Sequence, residues 1–256
     1  MSARLSFTNL TLGYAHRPAV HHLHAEVRAG ALLALVGPNG AGKSSLLKGI
    51  AGELKPMAGS LKLHGIHRRE VAYLTQQSAL DSSFPLTVFD LVAMGLWKQC
   101  GAFGGIGRAG RAAIEQALDA VGLAGLAARS IGTLSGGQLQ RARFARVLLQ
   151  DAPLVLLDEP YAAVDAATVR DLAALVARWH AEGRTVISVL HDLEHVKAAY
   201  PETLLLAREP IAYGPTAEVL TEANLEHARL HAESISGLGV TAVCRQDGII
   251  TTEQTA

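Results

Sequence analysis

The sequence predicts an α/β fold with a parallel core covered on both faces, an antiparallel region at one edge and a helical insertion. Three features carry that prediction. Two runs, LVLL at residues 154–157 and TVISVL at 185–190, are continuously apolar, as strands buried on both faces must be. Between them ATVRDLAALVARWHAEG spaces its apolar residues at three and four and ends on Gly183, so this stretch reads strand, helix, strand. The first third of the chain instead alternates apolar and polar residues in LSFTNLTL, HLHAEV and SLKLHG, the pattern of antiparallel strands with one face exposed.

The remaining elements follow in order. ALLALV is a third buried strand, and SLLKGIAG behind it is helical in period. From about residue 85 to 150, LTVFDLVAMGLW, GRAAIEQALDAVGL and QLQRARFARVLLQ are all helical, with no strand between them. After Pro215, TAEVLTEANLEHARLHAES is helical again, and Ser234 to Ala256 is weakly patterned. The expected organisation is a domain of residues 1–226, with a core of 1–80 and 150–226 and a helical part of about 81–149, followed by a tail of 227–256.

A chain of 256 residues that is 49% hydrophobic can bury a sizeable core. Lys plus Arg number 23 and Asp plus Glu 23, so no basic field draws the chain to a phosphate backbone, and nucleic acid is not an expected partner. Cys100 and Cys244 lack metal or redox spacing, and MSARLSFTNLTLGY lacks the apolar run of a secretion signal, so a cytoplasmic location is expected. The apolar runs fall short of the roughly 20 residues of a membrane span. Any membrane role therefore requires a separate membrane partner.

The strongest chemical signal is GPNGAGKSS, residues Gly37, Pro38, Asn39, Gly40, Ala41, Gly42, Lys43, Ser44 and Ser45, between a buried strand and a helix. Glycines let backbone N–H groups turn onto phosphate oxygens, Lys43 reaches the terminal phosphates, and the Ser44 hydroxyl ligates magnesium. The strand-loop-helix setting separates this P-loop from an ordinary glycine-rich turn, and a bound nucleoside triphosphate is expected. In LVLLDEP, Asp158 and Glu159 stand at the carboxyl end of a buried strand, where open α/β sheets hold ligands. There Asp158 would hold magnesium through water and Glu159 would polarise the attacking water. The competing reading is a carboxylate that caps the next helix. His191 in SVLHD ends another buried strand and is either a γ-phosphate contact or a structural histidine. GIGRAG satisfies a dinucleotide-binding pattern, but the helical DLVAMGLWKQC precedes it where a strand is required, so it reads as a loop of the insertion.

TLSGGQLQRARFARVLL, residues 133–149, opens a helix on Ser135, Gly136 and Gly137. Free N–H groups and the positive dipole end make that terminus an anion site, yet with no lysine and no preceding strand it is not a second independent triphosphate site. With this motif the chain resembles the ATP-binding subunits of ABC transporters, over about residues 4–226. GPNGAGKSS is similar to the family's Walker A loop, LSGGQ to its signature motif and LVLLDEP to Walker B. AAVD with Asp165 resembles the D-loop, His191 the switch histidine, Gln76 in YLTQ the Q-loop glutamine, and Tyr14 the aromatic residue that stacks on adenine. Two departures are Thr75, where many relatives have proline, and the absence of a serine common in the D-loop.

The resemblance implies a P-loop NTPase core of the ABC ATPase type, with an antiparallel β edge subdomain and a helical insertion subdomain. It implies hydrolysis of ATP with Glu159, His191 and Gln76 as catalytic residues, and Mg2+ held by Ser44, Gln76 and Asp158. It also implies a dimer, in which the signature loop of one copy closes over ATP on the Walker A loop of the other. Ser135, Gly136, Gly137, Gln138 and Asp165 would then reach a nucleotide held by the second copy.

QSALDSSFPLTVFDLVAMGLW follows Gln76 where the family's helical subdomain receives a helix of its membrane partner. Its FPLTV followed by MG, and LDEPYAAVD, are similar to the ATPases of zinc and manganese importers. The resemblance implies uptake of a divalent metal, zinc first and manganese next, through an integral-membrane permease. An extracytoplasmic metal-binding protein acts indirectly, and the chain is peripheral on the cytoplasmic face of the membrane. The alternatives are a ferric-siderophore or haem importer ATPase and a soluble ABC ATPase outside transport. The soluble forms carry two cassettes, long arms or basic patches, which this neutral single cassette lacks. A metal-sensing module would rest on the histidines alone: His21, His22 and His24 in HHLH, or His227 and His231 with Glu226 and Cys244. Neither group supplies a third and fourth ligand, so both read as surface histidines.

Overall fold

Strand β1 (Arg4–Tyr14) is the centre of a three-stranded antiparallel sheet, between β2 (Arg17–Val27) and the later β4 (Pro56–His64). Its apolar residues change phase, with Leu5 and Phe7 at odd positions but Leu10 and Leu12 at even ones, which a regular strand would send to opposite faces. A bulge resolves the conflict. The register slips between Phe7 and Leu10, with Asn9 in the left-handed region at φ 46°, and all four side chains are buried. The structure, a computed structural model, describes residues 3–15, 17–76, 85–101 and 104–237 and two short strands near the carboxyl end.

Next in the chain come β3 (Leu32–Val36), helix α1 (Lys43–Ala51), β4 (Pro56–His64) and β5 (Val71–Leu74). The helical stretch follows: α2 (Val88–Ala93), α3 (Trp97–Cys100), α4 (Arg108–Ala120) and α5 (Gly136–Leu149). Thr87 opens it with a capping box, accepting from the Asp90 N–H at 3.1 Å while Asp90 accepts from the Thr87 N–H at 3.0 Å. Helix α4 starts inside GIGRAG, so Gly110 is helical and only Gly105 and Gly107 keep the loop the sequence suggests. A Cβ on Gly110 would press to 2.9 Å from Ile106, so close packing explains that glycine.

The chain then returns through β6 (Leu154–Asp158), α6 (Ala166–Ala181), β7 (Thr185–Val189), α7 (Leu193–Ala199), β8 (Glu202–Ala207) and β9 (Glu209–Pro215). It closes with α8 (Thr216–Val219), α9 (Glu222–Gly237), β10 (Val243–Cys244) and β11 (Ile250–Thr251). The second sheet has the order β5-β6-β7-β3-β8-β9, parallel except where β9 runs against β8. Strands β3, β6 and β7 are buried along their whole length, as their unbroken apolar runs require. Helix α1 fills the space between the two sheets with Leu46, Leu47 and Ile50. On the other face Phe144 of α5 stacks on Trp179 of α6, ring centroids 5.9 Å apart and 10° from parallel. Helix α5 thus belongs to the core packing as much as to the helical stretch.

Helix α9 runs through residue 226, where the sequence suggests a division, and Ala228 beyond it is buried in the core. The surface reading of the histidines is corrected at His21, which is buried, with no hydrogen-bond partner for its Nδ1 among the described residues. Burial, the largest influence on it, holds its pKa below the ordinary imidazole value. His22, by contrast, bonds the Asn9 side chain at 2.8 Å. The side chain of Cys244 lies outside the described residues. Among the described residues no helix is long and apolar enough to cross a membrane.

Candidate functional site

Four chain segments end at the carboxyl edge of the parallel sheet. Leu74 pairs with Leu157, Asp158 with Val189, and Val189 with Leu35. Gln76 therefore follows β5, Asp158 and Glu159 close β6, His191 follows β7, and the loop 37–42 follows β3. Parallel strands in register place these residues at one edge although they are distant in sequence.

The loop between β3 and α1 holds a backbone that only glycine permits at two positions. Gly37 has φ 153°, and a Cβ there would lie 1.9 Å from the Leu206 carbonyl oxygen. Gly42 has φ 91°, and its Cβ would lie 2.2 Å from the Ala19 carbonyl oxygen. Lys43 folds back on this loop and donates from Nζ to the Gly37 carbonyl at 2.7 Å and the Pro38 carbonyl at 2.9 Å. Burial depresses its pKa, an effect that the Glu159 and Asp158 carboxylates oppose. An anion arriving in the loop would replace two carbonyl dipoles with a full charge.

Asp158 is buried and accepts from Ser44 Oγ at 3.1 Å and from the Tyr73 hydroxyl at 3.3 Å. Burial raises its pKa and the neighbouring Glu159 raises it further, against the two hydroxyl bonds. Ser44 and Asp158 together offer the hard oxygen donors that Mg2+ takes, so the residues present fit that ion. Tyr73 was not marked by sequence reasoning. Only its position three residues before Gln76 hints at the site, since nothing in VAYL itself sets it apart.

Glu159 departs from the strand with φ 51°, a left-handed backbone that costs a non-glycine residue on the order of 1 kcal/mol or more. The turn aims its carboxylate at His191, with Nε2 2.9 Å from Oε1. A cleft of about 230 Å³ lined by Glu159, Tyr161, His191 and His195 opens beside this pair, so solvent reaches the carboxylate. A carboxylate held by a histidine and open to water is arranged to take a proton from water. Neither Asp158 nor Glu159 caps the next helix; that acceptor is Asp165, which receives the Thr168 N–H at 2.9 Å and hydroxyl at 2.8 Å. Those bonds lower the Asp165 pKa.

Ser135 caps α5 through a capping box, its Oγ accepting from the Gln138 N–H at 3.2 Å and Gln138 Oε1 accepting from the Ser135 N–H at 3.1 Å. In this chain the Gln138 side chain is thus a helix cap. Gly136 and Gly137 face the segment after β6: a Cβ on Gly136 would lie 3.3 Å from the Ala163 carbonyl, and one on Gly137 3.4 Å from Asp165 Oδ2. Residues 135–138 and 165 form one cluster, and among the described residues no hydrogen bond ties it to the loop 37–45. Tyr14 ends β1 with half its surface open and Lys48 Nζ 6.0 Å from its ring centroid, so the ring is free to stack. Residues 77–84, the first part of the docking segment, lie outside the described residues.

Replacing Asp158 with Asn tests the buried carboxylate. A folded-state pKa raised above the unfolded value means that the native state binds the proton more tightly. Stability then falls as pH rises through the interval between the two values. Asp158→Asn should melt higher than the parent at neutral pH and should lose Mg-dependent turnover. The gap in melting temperature should close in acid below the ordinary carboxyl range. A variant that melts lower at neutral pH would contradict the assignment.

The family described as ABC transporter matches residues 20–162. The zinc transport system ATP-binding protein TroB of Treponema pallidum is 39% identical over 86% of this chain and 84% of its own length. The manganese transport system ATP-binding protein MntB of Listeria monocytogenes is 37% identical over 88% of this chain and 95% of its own length. Among solved structures, an inward-facing candidate metal-chelate type ABC transporter superposes with a TM-score of 0.77 at 31% identity, covering 88% of this chain and 89% of the other.

Proposed function

The chain belongs to the ABC transporter family and is an ATPase, and from this premise we propose that it is the ATP-hydrolysing subunit of a divalent-metal importer. Two copies share two ATP sites and drive a separate membrane permease, with zinc the first candidate cargo and manganese the second. One observation carries the shared-site reading. The phosphate loop, Asp158, Glu159 and His191 gather at one sheet edge, while Ser135–Gln138 and Asp165 form their own cluster with no hydrogen bond to it among the described residues. Each copy thus holds two half-sites, and each is completed by the other copy. The metal reading is supported by relatives named for zinc and manganese transport that match along most of their length.

In this reading ATP lies with its adenine on Tyr14 and its phosphates against the N–H groups of residues 37–44. Lys43 exchanges the Gly37 and Pro38 carbonyls for the β- and γ-phosphates. Ser44 and Asp158, with Gln76 after the neighbouring strand β5, would hold Mg2+, which when bound would supply positive charge against the phosphate oxygens. Glu159 accepts the proton of the attacking water, and His191 orients Glu159 and faces the γ-phosphate. The Ser135 hydroxyl and the N–H groups of Gly136 and Gly137 reach the γ-phosphate from the partner copy.

The docking surface is read on the helical stretch. Val88 has no exposed surface, so it belongs to the core, and a charge placed there would cost folding. Among the described residues of this region, Met94 and Trp97 are the exposed large apolar ones, at 39% and 65%. In a reconstituted complex, zinc- or manganese-loaded binding protein should raise ATP turnover above the metal-free form, and Trp97→Glu should abolish that rise. Free zinc added to the isolated chain should not stimulate, because a ligand without preference between two states shifts neither. Stimulation by a siderophore-loaded binding protein instead would transfer the reading to siderophore uptake.

A further inference from the structure

Helix α5 carries a buried cation that the catalytic roles above do not use. Arg143 donates from one guanidinium nitrogen to Gln140 Oε1 at 3.1 Å, and from the other to the Thr75 carbonyl. Gln140, one turn earlier on the same face, donates from Nε2 to the Pro160 carbonyl at 2.6 Å. Both side chains are buried. A continuous line of hydrogen bonds therefore joins the residue before Gln76 to the residue after Glu159, through two side chains of the helix that Ser135 caps. Among the described residues Arg143 gains no carboxylate in exchange for its burial: burial lowers its pKa and Arg146 lowers it further. A buried guanidinium without a counter-charge is costly, and an apolar side chain of similar volume would fill the space more cheaply. The arrangement therefore serves geometry more than stability.

We propose that Arg143 is a positioning residue for ATP hydrolysis, a strut that with Gln140 holds Gln76 and Glu159 in one register with the signature helix. Any displacement of α5 then moves the backbone on both sides of the reacting phosphate together. The two carbonyls it grips belong to Thr75 and Pro160, each adjacent in sequence to a catalytic candidate, so loss of either bond frees that candidate without removing it. The left-handed backbone at Glu159 gives the strut its energetic purpose, since a strained turn keeps its shape only while its surroundings hold it. Thr75, the departure from the proline of many relatives, supplies the carbonyl at one end of the line.

This inference rests on Glu159 as the base. Wild-type turnover and its loss in Glu159→Gln check that premise separately. The experiment compares the full-length wild type with Arg143→Leu, Gln140→Leu and the double variant, measuring kcat and KM for Mg·ATP, nucleotide binding and melting temperature. Each single variant should lower kcat about 10- to 100-fold, because misplacing a reacting group by an ångström has an effect of that size, while ATP affinity stays close to wild type. The double variant should lose no more than the worse single one, since both residues belong to one line. A role in packing alone would lower the melting temperature and leave kcat of the folded protein unchanged, and that result overturns the proposal. Additive losses in the double variant would overturn the continuous line. Should Arg143→Leu not fold, Gln140→Leu decides, because it breaks the line at the Pro160 end with the guanidinium still in place.

Discussion

Glu159→Gln should bind ATP as the parent chain does and hydrolyse it about 100-fold more slowly or worse, because the amide keeps the size of the carboxylate and cannot accept a proton. The structure sharpens this expectation. Glu159 is held by His191 at 2.9 Å and by its own turn, and an amide oxygen can accept the same bond if Nε2 carries the hydrogen. The substitution therefore isolates proton acceptance from position. With hydrolysis blocked, ATP bridges two copies and stays, so size exclusion in the presence of ATP and magnesium should show a dimer that the parent chain forms only transiently. A variant that remains monomeric at high concentration with ATP bound would refute the shared site. Normal turnover would remove Glu159 from the role of base.

Mixing two inactive chains should restore activity. Lys43→Ala removes the cation that the phosphate loop positions, and its homodimer should be inactive at both sites. Ser135→Arg places a long charged side chain at the amino end of α5, where Oγ now caps the helix, and it too should be inactive as a homodimer. Loss of the cap costs about 1 kcal/mol, so the comparison needs a melting curve that shows both variants folded. In the heterodimer one composite site carries both lesions and the other carries neither. Turnover should return to a fraction of the parent's, limited to half of the sites and to the share of heterodimers. If residues 37–45 and 135–138 instead served one nucleotide within a single copy, mixing would recover nothing.

The two halves of the candidate site differ in how legible they are in the sequence. The phosphate loop is legible because its requirements are local. Gly37 and Gly42 stand where backbone and neighbouring carbonyls leave no room for a Cβ, and a buried strand and a helix flank them within a few residues. Asp158 and His191 are legible for a related reason, since unbroken apolar runs announce buried parallel strands and ligands lie at the carboxyl ends of such strands. Tyr73 escaped notice because its hydroxyl acts across the sheet, on an aspartate 85 positions later, and nothing in VAYL distinguishes it from a packing residue. Arg143 and Gln140 escaped for the opposite reason. Helical period alone does not tell their face from a solvated one, whereas α5 is packed against β5 and α6 and turns that face inward.

The exposed and buried sides of the helical stretch divide in the same way. Periodicity marks Val88 and Leu86 as apolar without saying which face the rest of the chain covers. Only the packed structure buries Val88 and leaves Trp97 open. The bulge at Asn9 is a further case, because the alternation of LSFTNLTL predicts a strand but not the slip that brings both halves onto one face. By itself, then, the sequence determined what short-range sterics and periodicity dictate: the parallel core, the antiparallel edge, the helical insertion, and a glycine loop that fits phosphate. The tertiary structure alone decided which polar side chains meet, namely Tyr73 with Asp158, Glu159 with His191, and Arg143 with Gln140 and Thr75. Such meetings depend on strand order, register and helix rotation, which are properties of the whole packed chain.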